Sequence, residues 1–248
     1  LSVDMNGAIY THTVITKWKG VTDASVSSGA EAVAPPLLRD DSVAAVTTAM
    51  NAITADGGRV NASCGLHVHV GVREFLTGNQ IADVLEQWQA IQSNVDLYIP
   101  ESRRANSRNG FSGRSFDRYA TPFRRLLTHL RNHGDNLLTE SEAASIPWTE
   151  RYMTCNPVAF KKYGTLEFRQ HAGSLNPRKY ANWIDFLGAF VTAASTGTDF
   201  AGATAGEMLR LLIDNGGLAS DTAEAIAEVM ELRTGLLITI PAQEEEAA

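Results

Sequence analysis

Two segments of the 248-residue chain carry side chains able to do chemistry at spacings that bring them to one face. The first is CGLHVHVG, residues 64–71. Successive side chains of an extended strand alternate faces, so Leu66, Val68 and Val70 point one way while His67 and His69 point the other. A lone strand histidine is ordinarily a satisfied structural residue, whereas two imidazoles on one face form a candidate metal or phosphate site. The second segment is TLEFRQHAGSL, residues 165–175. Here the same alternation groups Leu166, Phe168 and Gln170 on one face, and Glu167, Arg169 and His171 on the other. Its bland reading is a cross-strand ion pair. A carboxylate, a guanidinium and an imidazole on a strand with an apolar back instead predict a sheet whose polar face lines a cleft.

A third segment stands out by charge. Residues 103–131 hold eight arginines (103, 104, 108, 114, 118, 124, 125 and 131) against the single acid Asp117, which makes the stretch +7 inside a chain of net −7. It contains no lysine, and the planar guanidinium fork matches phosphate and carboxylate oxygens bidentately. A solvated helix face with acids paired elsewhere is the competing account for most of these arginines. Nucleic-acid binding is disfavoured: the remainder of the molecule is −14 by subtraction, and no zinc finger, aromatic RNA-binding motif or clear helix-turn-helix is present. His67, His69 and Glu74 approach the His-x-His-x4-Glu of a cupin-type metal site. Asn61 and Ile81 stand where that motif wants glycines, however, and its second half is missing.

The elements that must carry these groups follow from composition and periodicity. At 44% hydrophobic and 20% charged, the chain reads as one soluble globular protein with enough length to bury its own core. Cys64 and Cys155 have no zinc-ligand spacing, pack best as small hydrophobes and fit a reducing, cytoplasmic compartment. The longest apolar stretch, residues 186–194, is about half a membrane span, and the first ten residues show no secretory-signal pattern. Strands are expected at 11–21, 30–33, 65–72, 152–160 and 164–171. Helices are expected at 40–55, 79–98, 117–131, 177–194, 204–214 and 221–233. The stripe Ile81, Val84, Leu85, Trp88, Ile91 and Val95 marks the second of these as a core helix. This is an α+β order without a βαβ repeat. A short apolar run at 236–240 precedes an acidic tail, 241–248, expected to be disordered.

Taken in order, seven pieces resemble the amidoligase family, a branch of the glutamine synthetase-like carboxylate–amine ligases, over about residues 1–190. They are LSVDMN at 1–6, WKGVTDASV at 18–26, EAVAPPL at 31–37, CGLHVHVG at 64–71, SRRAN at 102–106, RYMTCNPVAF at 151–160 and TLEFRQHAGSLNPRKYANW at 165–183. The resemblance implies an antiparallel, curved, glutamine synthetase-like sheet with helices packed on one side and a helical C-terminal region. The catalytic domain is then expected at 1–195, while the amphipathic helices of 196–240, which carry no motif, read as an extension packed on the same domain, ahead of the tail. The resemblance further implies ATP-dependent amide or peptide bond formation through an acyl phosphate, between a small-molecule or peptide carboxylate and an amine donor. No nucleic-acid or membrane partner is implied, and oligomeric state stays open.

By position in that pattern, Asp4, His67 and Glu167 would hold one Mg²⁺, and Asn6 and Glu31 would stand at a second. Arg169 would lie against the transferred phosphoryl group, Arg103 and Arg104 would meet nucleotide or carboxylate oxygens, and His69 would support phosphates or orient a neighbour. The family's first strand carries glutamates where Asp4 and Asn6 stand here, and serine where Ala34 stands. Asn6 removes a charge outright, so one metal position is expected to be impaired. A binding or structural protein that keeps the fold with weakened catalysis is therefore the alternative reading.

Overall fold

The structure, a computed structural model, describes residues 16–22, 30–61, 63–105, 120–146 and 151–243. Its described residues form two small antiparallel sheets and eight α-helices, which is the mixed α and β class expected. A larger curved sheet is not among them. No described helix is long and apolar enough to cross a membrane. The chain divides into two compact units, Leu1–Cys64 with Gly173–Ile184, and Gly65–Ala172 with Asp185–Ala248.

In the first unit, strands β1 (Lys19–Thr22) and β2 (Ala30–Val33) pair antiparallel, with Lys19 opposite Val33 and Thr22 opposite Ala30. Helix α1 (Arg39–Ala55) opens on Asp40 and Asp41, whose charges suit the positive end of the helix dipole, and it buries Val46, Ala49 and Met50.

The second unit holds the chemistry-bearing strands. Strands β3 (Gly65–Gly71), β4 (Cys155–Asn156) and β5 (Thr165–Ala172) form one sheet in the order β3-β5-β4, antiparallel throughout. Helix α2 (Gly78–Tyr98) covers the apolar back of β5. The expected stripe is buried along its whole length, from Ile81 at 0% exposed to Val95 at 1%. A capping box in which Thr77 and Gln80 bond each other's backbone starts this helix. The Trp88 ring stands 4.7 Å from Phe168 and 5.2 Å from Phe190, edge to face, at the centre of the core.

Helix α3 (Ala120–His133) crosses α2 closely at Gly78, and Arg131 on it bonds Asp83, Glu86 and the Asn79 carbonyl, the bland fate for an arginine of the basic stretch. Helix α4 (Glu140–Ser145), which falls in none of the expected elements, starts on a capping box between Thr139 and Glu142. Helix α6 (Pro177–Ser195) contributes its later turns here, and α7 (Ala205–Gly216) and α8 (Ser220–Thr234) pack on α2. The run at 236–240 is irregular rather than extended in a sheet, and its Thr239 carbonyl passes directly over Gly206.

The strand expected at 152–160 is cut short after Asn156. The Asn156 side-chain oxygen accepts from the Val158 amide at 2.9 Å, Pro157 sets the helical entry, and helix α5 (Val158–Tyr163) follows until Gly164 ends it at φ 68°. Residues 11–15 of the expected first strand lie outside the described residues, as do 244–248 of the tail.

Candidate functional site

Register places the polar side chains. His69 opposes Glu167 across the β3–β5 ladder, and Asn156 opposes Glu167 across the β4–β5 ladder, so these residues line one face with Glu167 in the middle. Between Leu66 and Val68 the register slips. Leu66 pairs with His171 and Val68 with Phe168, which leaves His67 facing both Arg169 and Gln170. Two residues opposite one is a β-bulge, a device that re-aims side chains. Here Arg169 stays on the polar face and Gln170 on the back, as alternation has them, and it is His171 that the bulge turns towards α2. The expected placement of His171 beside Glu167 is thereby corrected: its ring stands 6.0 Å from that of Tyr98 on α2, and its Nδ1 donates to the Ala172 carbonyl. Gln170 stays on the apolar back as expected, bonded to Asp96 of α2.

Glu167 is the centre of the cluster. Its Oε1 accepts from Arg169 Nη1, lies 3.3 Å from His67 Nδ1 and 3.9 Å from His69 Nε2, and its Oε2 accepts from Asn156 Nδ2 at 2.5 Å. Exposure of the side chains grades outward, from 9% for Glu167 through 17% for Arg169 and 28% for His67 to 39% for His69. His69 is further held by Thr165, whose hydroxyl lies 2.9 Å from Nδ1, and its ring packs perpendicular to that of Tyr163 at 5.9 Å.

Arg103, 2% exposed, reaches the same cluster from the short 3-10 turn Glu101–Arg103. A Cβ at Gly65 would stand 2.9 Å from Arg103 Nη1 and 3.4 Å from His67 Nε2, so the bare backbone there is what lets the guanidinium approach the imidazole. Arg104 instead turns back, with its Nε near the Ile99 carbonyl at 3.4 Å.

This setting fixes the charge states. Burial, aided by Arg169, His69 and Arg103 against Glu167, lowers the His67 pKa from 6.5 to about 4. Burial lowers His69 in the same way, opposed by Glu167. Both rings are neutral at pH 7. Burial pushes Glu167 up, but Arg169, His69, His67 and the Asn156 amide outweigh it, and the carboxyl sits below its ordinary value. The cluster therefore presents two guanidiniums, one carboxylate and two neutral imidazoles, a net positive face suited to anionic oxygens. Cys155 is fully buried and its thiol is pushed well up, first by burial and then by Glu167, so it packs as a small hydrophobe.

The donor set bears on metal binding. Neutral imidazole and carboxylate are ligand groups, but Mg²⁺ takes mostly oxygen, and the cluster supplies one carboxylate. Among the described residues no group of three or more His, Cys, Asp or Glu is arranged to hold a metal ion. Of the remaining expected ligands, Asp4 and Asn6 lie outside the described residues, and Glu31 is exposed on β2 in the first unit. Asn156, Thr165 and Gly65 join the site without having been singled out by sequence reasoning. Thr165 shares the parity of Glu167 and Arg169 and was there to be found by alternation. Asn156 looked like a residue inside a longer strand.

No curated protein and no solved structure matches the chain. A family model described as "Putative amidoligase enzyme" matches residues 11–191, a span containing every residue of the cluster. With most of its length covered by that model, the chain belongs to the amidoligase family.

Proposed function

We propose that the chain is an ATP-dependent carboxylate–amine ligase and that the polar face of β3-β5-β4 is its reaction site. The observation that carries this reading is the Glu167 carboxylate held ionised among two neutral imidazoles, with Arg169 and Arg103 beside them. In the reaction a carboxylate oxygen of one substrate attacks the γ-phosphorus of ATP and ADP leaves. The amine of the second substrate then attacks the acyl carbon, loses a proton, and displaces phosphate that carries away the attacking oxygen.

Several negative charges meet in one place during this transfer, and cationic side chains must compensate them. Arg169 is assigned to the transferred phosphoryl group, Arg103 and Arg104 to nucleotide or carboxylate oxygens, and His69 to the phosphates or a neighbour. Mg²⁺, when bound, supplies charge neutralisation and orients the phosphate oxygens. His67 and Glu167 would hold it together with Asp4, while Asn6 and Glu31 carry over from the family pattern as the weaker second set. On the same reading the three strands belong to a curved, glutamine synthetase-like sheet, residues 1–195 are the catalytic domain, 196–240 are a helical extension, and the protein works in the cytoplasm.

One observation favours a second reading. Arg169 already closes on Glu167 Oε1, the oxygen that a metal would need. A protein that binds ligands on this face with impaired catalysis would retain that closure.

Incubation with magnesium-ATP, pooled amino-acid and dipeptide carboxylates, and hydroxylamine as a general amine tests the proposal. Hydroxamate and phosphate are expected in equal amounts, and neither with Glu167→Gln. Failure of every pool, with magnesium-ATP still bound, would favour the second reading.

A further inference from the structure

We propose that Asp96, on the far side of the sheet from Glu167, is a positioning residue that sets both Arg169 and the turn bearing Arg103. Three donors converge on its Oδ1: Gln170 Nε2 at 2.9 Å, Gln92 Nε2 at 3.1 Å and the Ala105 amide at 3.1 Å. The chain of bonds has one direction. Trp88 Nε1 donates to Thr154 Oγ1, Thr154 Oγ1 to Gln92 Oε1, and Gln92 Nε2 to both Gln170 Oε1 and Asp96. It ends on a group that only accepts, so each donor upstream is committed and the amide orientations are fixed.

The two residues of the bulge are pinned by this same network. The Gln170 side chain is held by Asp96 and Gln92, and the Arg169 amide donates to the Thr154 carbonyl at 2.9 Å. Without these anchors the backbone on either side of Arg169 would be free to shift, and the guanidinium would lose its fixed place facing His67. The Ala105 bond fastens the other end, directly after Arg103 and Arg104. Burial pushes the Asp96 carboxyl up in spite of its donors, so placing an ionised group here is costly, as expected of a position kept for orientation. The role rests on the ligase reading only for what the two arginines hold; the bonds do not depend on it.

The test records the arginine Nε–H signals of the full chain by NMR, assigned with Arg169→Lys and Arg103→Lys. Asp96→Ala is expected to move both signals and to speed exchange of the Arg169 amide about tenfold, the worth of one hydrogen bond. Asp96→Asn keeps an acceptor oxygen at the hub and should restore both. Asn94→Ala removes a different bond from the same helix, Nδ2 to the Ala203 carbonyl at 2.8 Å, and should leave both signals in place. Signals in Asp96→Ala that coincide with those of the unaltered protein overturn the proposal, as does Asn94→Ala moving them equally. If Asp96→Ala does not fold, Gln170→Met decides: it removes the bond from Gln170 to Asp96 without touching the Ala105 amide, so Arg169 should move alone, and an unmoved Arg169 overturns the proposal. Failure of the ligase reading would appear as absent turnover in the unaltered protein and would change none of these signals.

Discussion

Four side chains share the two oxygens of Glu167, and the way they do so sets the acid response of the site. Between pH 6.5 and about 4 the unfolded chain binds a proton at His67 that the folded protein refuses. The unfolding free energy of the metal-free protein should therefore fall as pH drops through that window, with a slope from this group of up to about 1.4 kcal/mol per pH unit. Glu167 adds in the same direction lower down, since its depressed carboxyl contributes stability above the ordinary carboxylate range that is lost as pH falls through its folded value. Denaturant midpoints measured across this range should show a flatter profile for His67→Gln, and an unchanged profile would contradict the assignment. Asn156→Leu leaves Glu167 Oε2 without its 2.5 Å donor in a buried site. It should cost about 1–3 kcal/mol by equilibrium unfolding, more than its loss of polarity at an exposed position would.

At the scale of elements, α2 is the part on which the site depends, because its buried stripe and its network both meet β5. Its start is tightly fitted: a Cβ on Gly78 would stand 2.5 Å from the Leu130 carbonyl, which is backbone and cannot swing aside. Gly78→Ala should push α3 away and lower stability by about 1–3 kcal/mol in denaturant unfolding, whereas Thr77→Ala should cost about 1 kcal/mol through loss of the cap alone. The α2 stripe was legible in the sequence because seven-residue periodicity survives any tertiary context that buries one helix face. The polar faces of β3 and β5 were legible from alternation up to the bulge. Beyond it, His171 was misplaced, since a one-residue slip reverses every later side chain and nothing in TLEFRQHA marks where it occurs. Asn156 and α5 were hidden because Asn-Pro opens a helix inside an apolar run, while α4 carried a readable signal in its Thr139 and Glu142 capping pair. Asp96 had no sequence signature at all: its role comes from contacts with residues 9 and 74 positions away.

At the scale of the molecule, an acidic chain of net −7 concentrates two guanidiniums around one carboxylate on a single sheet face. Anionic substrates would thus be drawn by local rather than overall charge, and because Arg103 and Arg169 are mostly buried their association should weaken only modestly with ionic strength. The helices α7 and α8 lie beyond the span that the family shares, and they pack on α2, the element that positions β5. The proposed ligase function requires that this face receive a nucleotide. Calorimetric titration of magnesium-ATP into the unaltered protein, Glu167→Gln and Arg169→Lys is the most direct measurement. Saturable, magnesium-dependent binding that both substitutions weaken is the predicted result; no binding to the unaltered protein, or equal binding to all three, would contradict it.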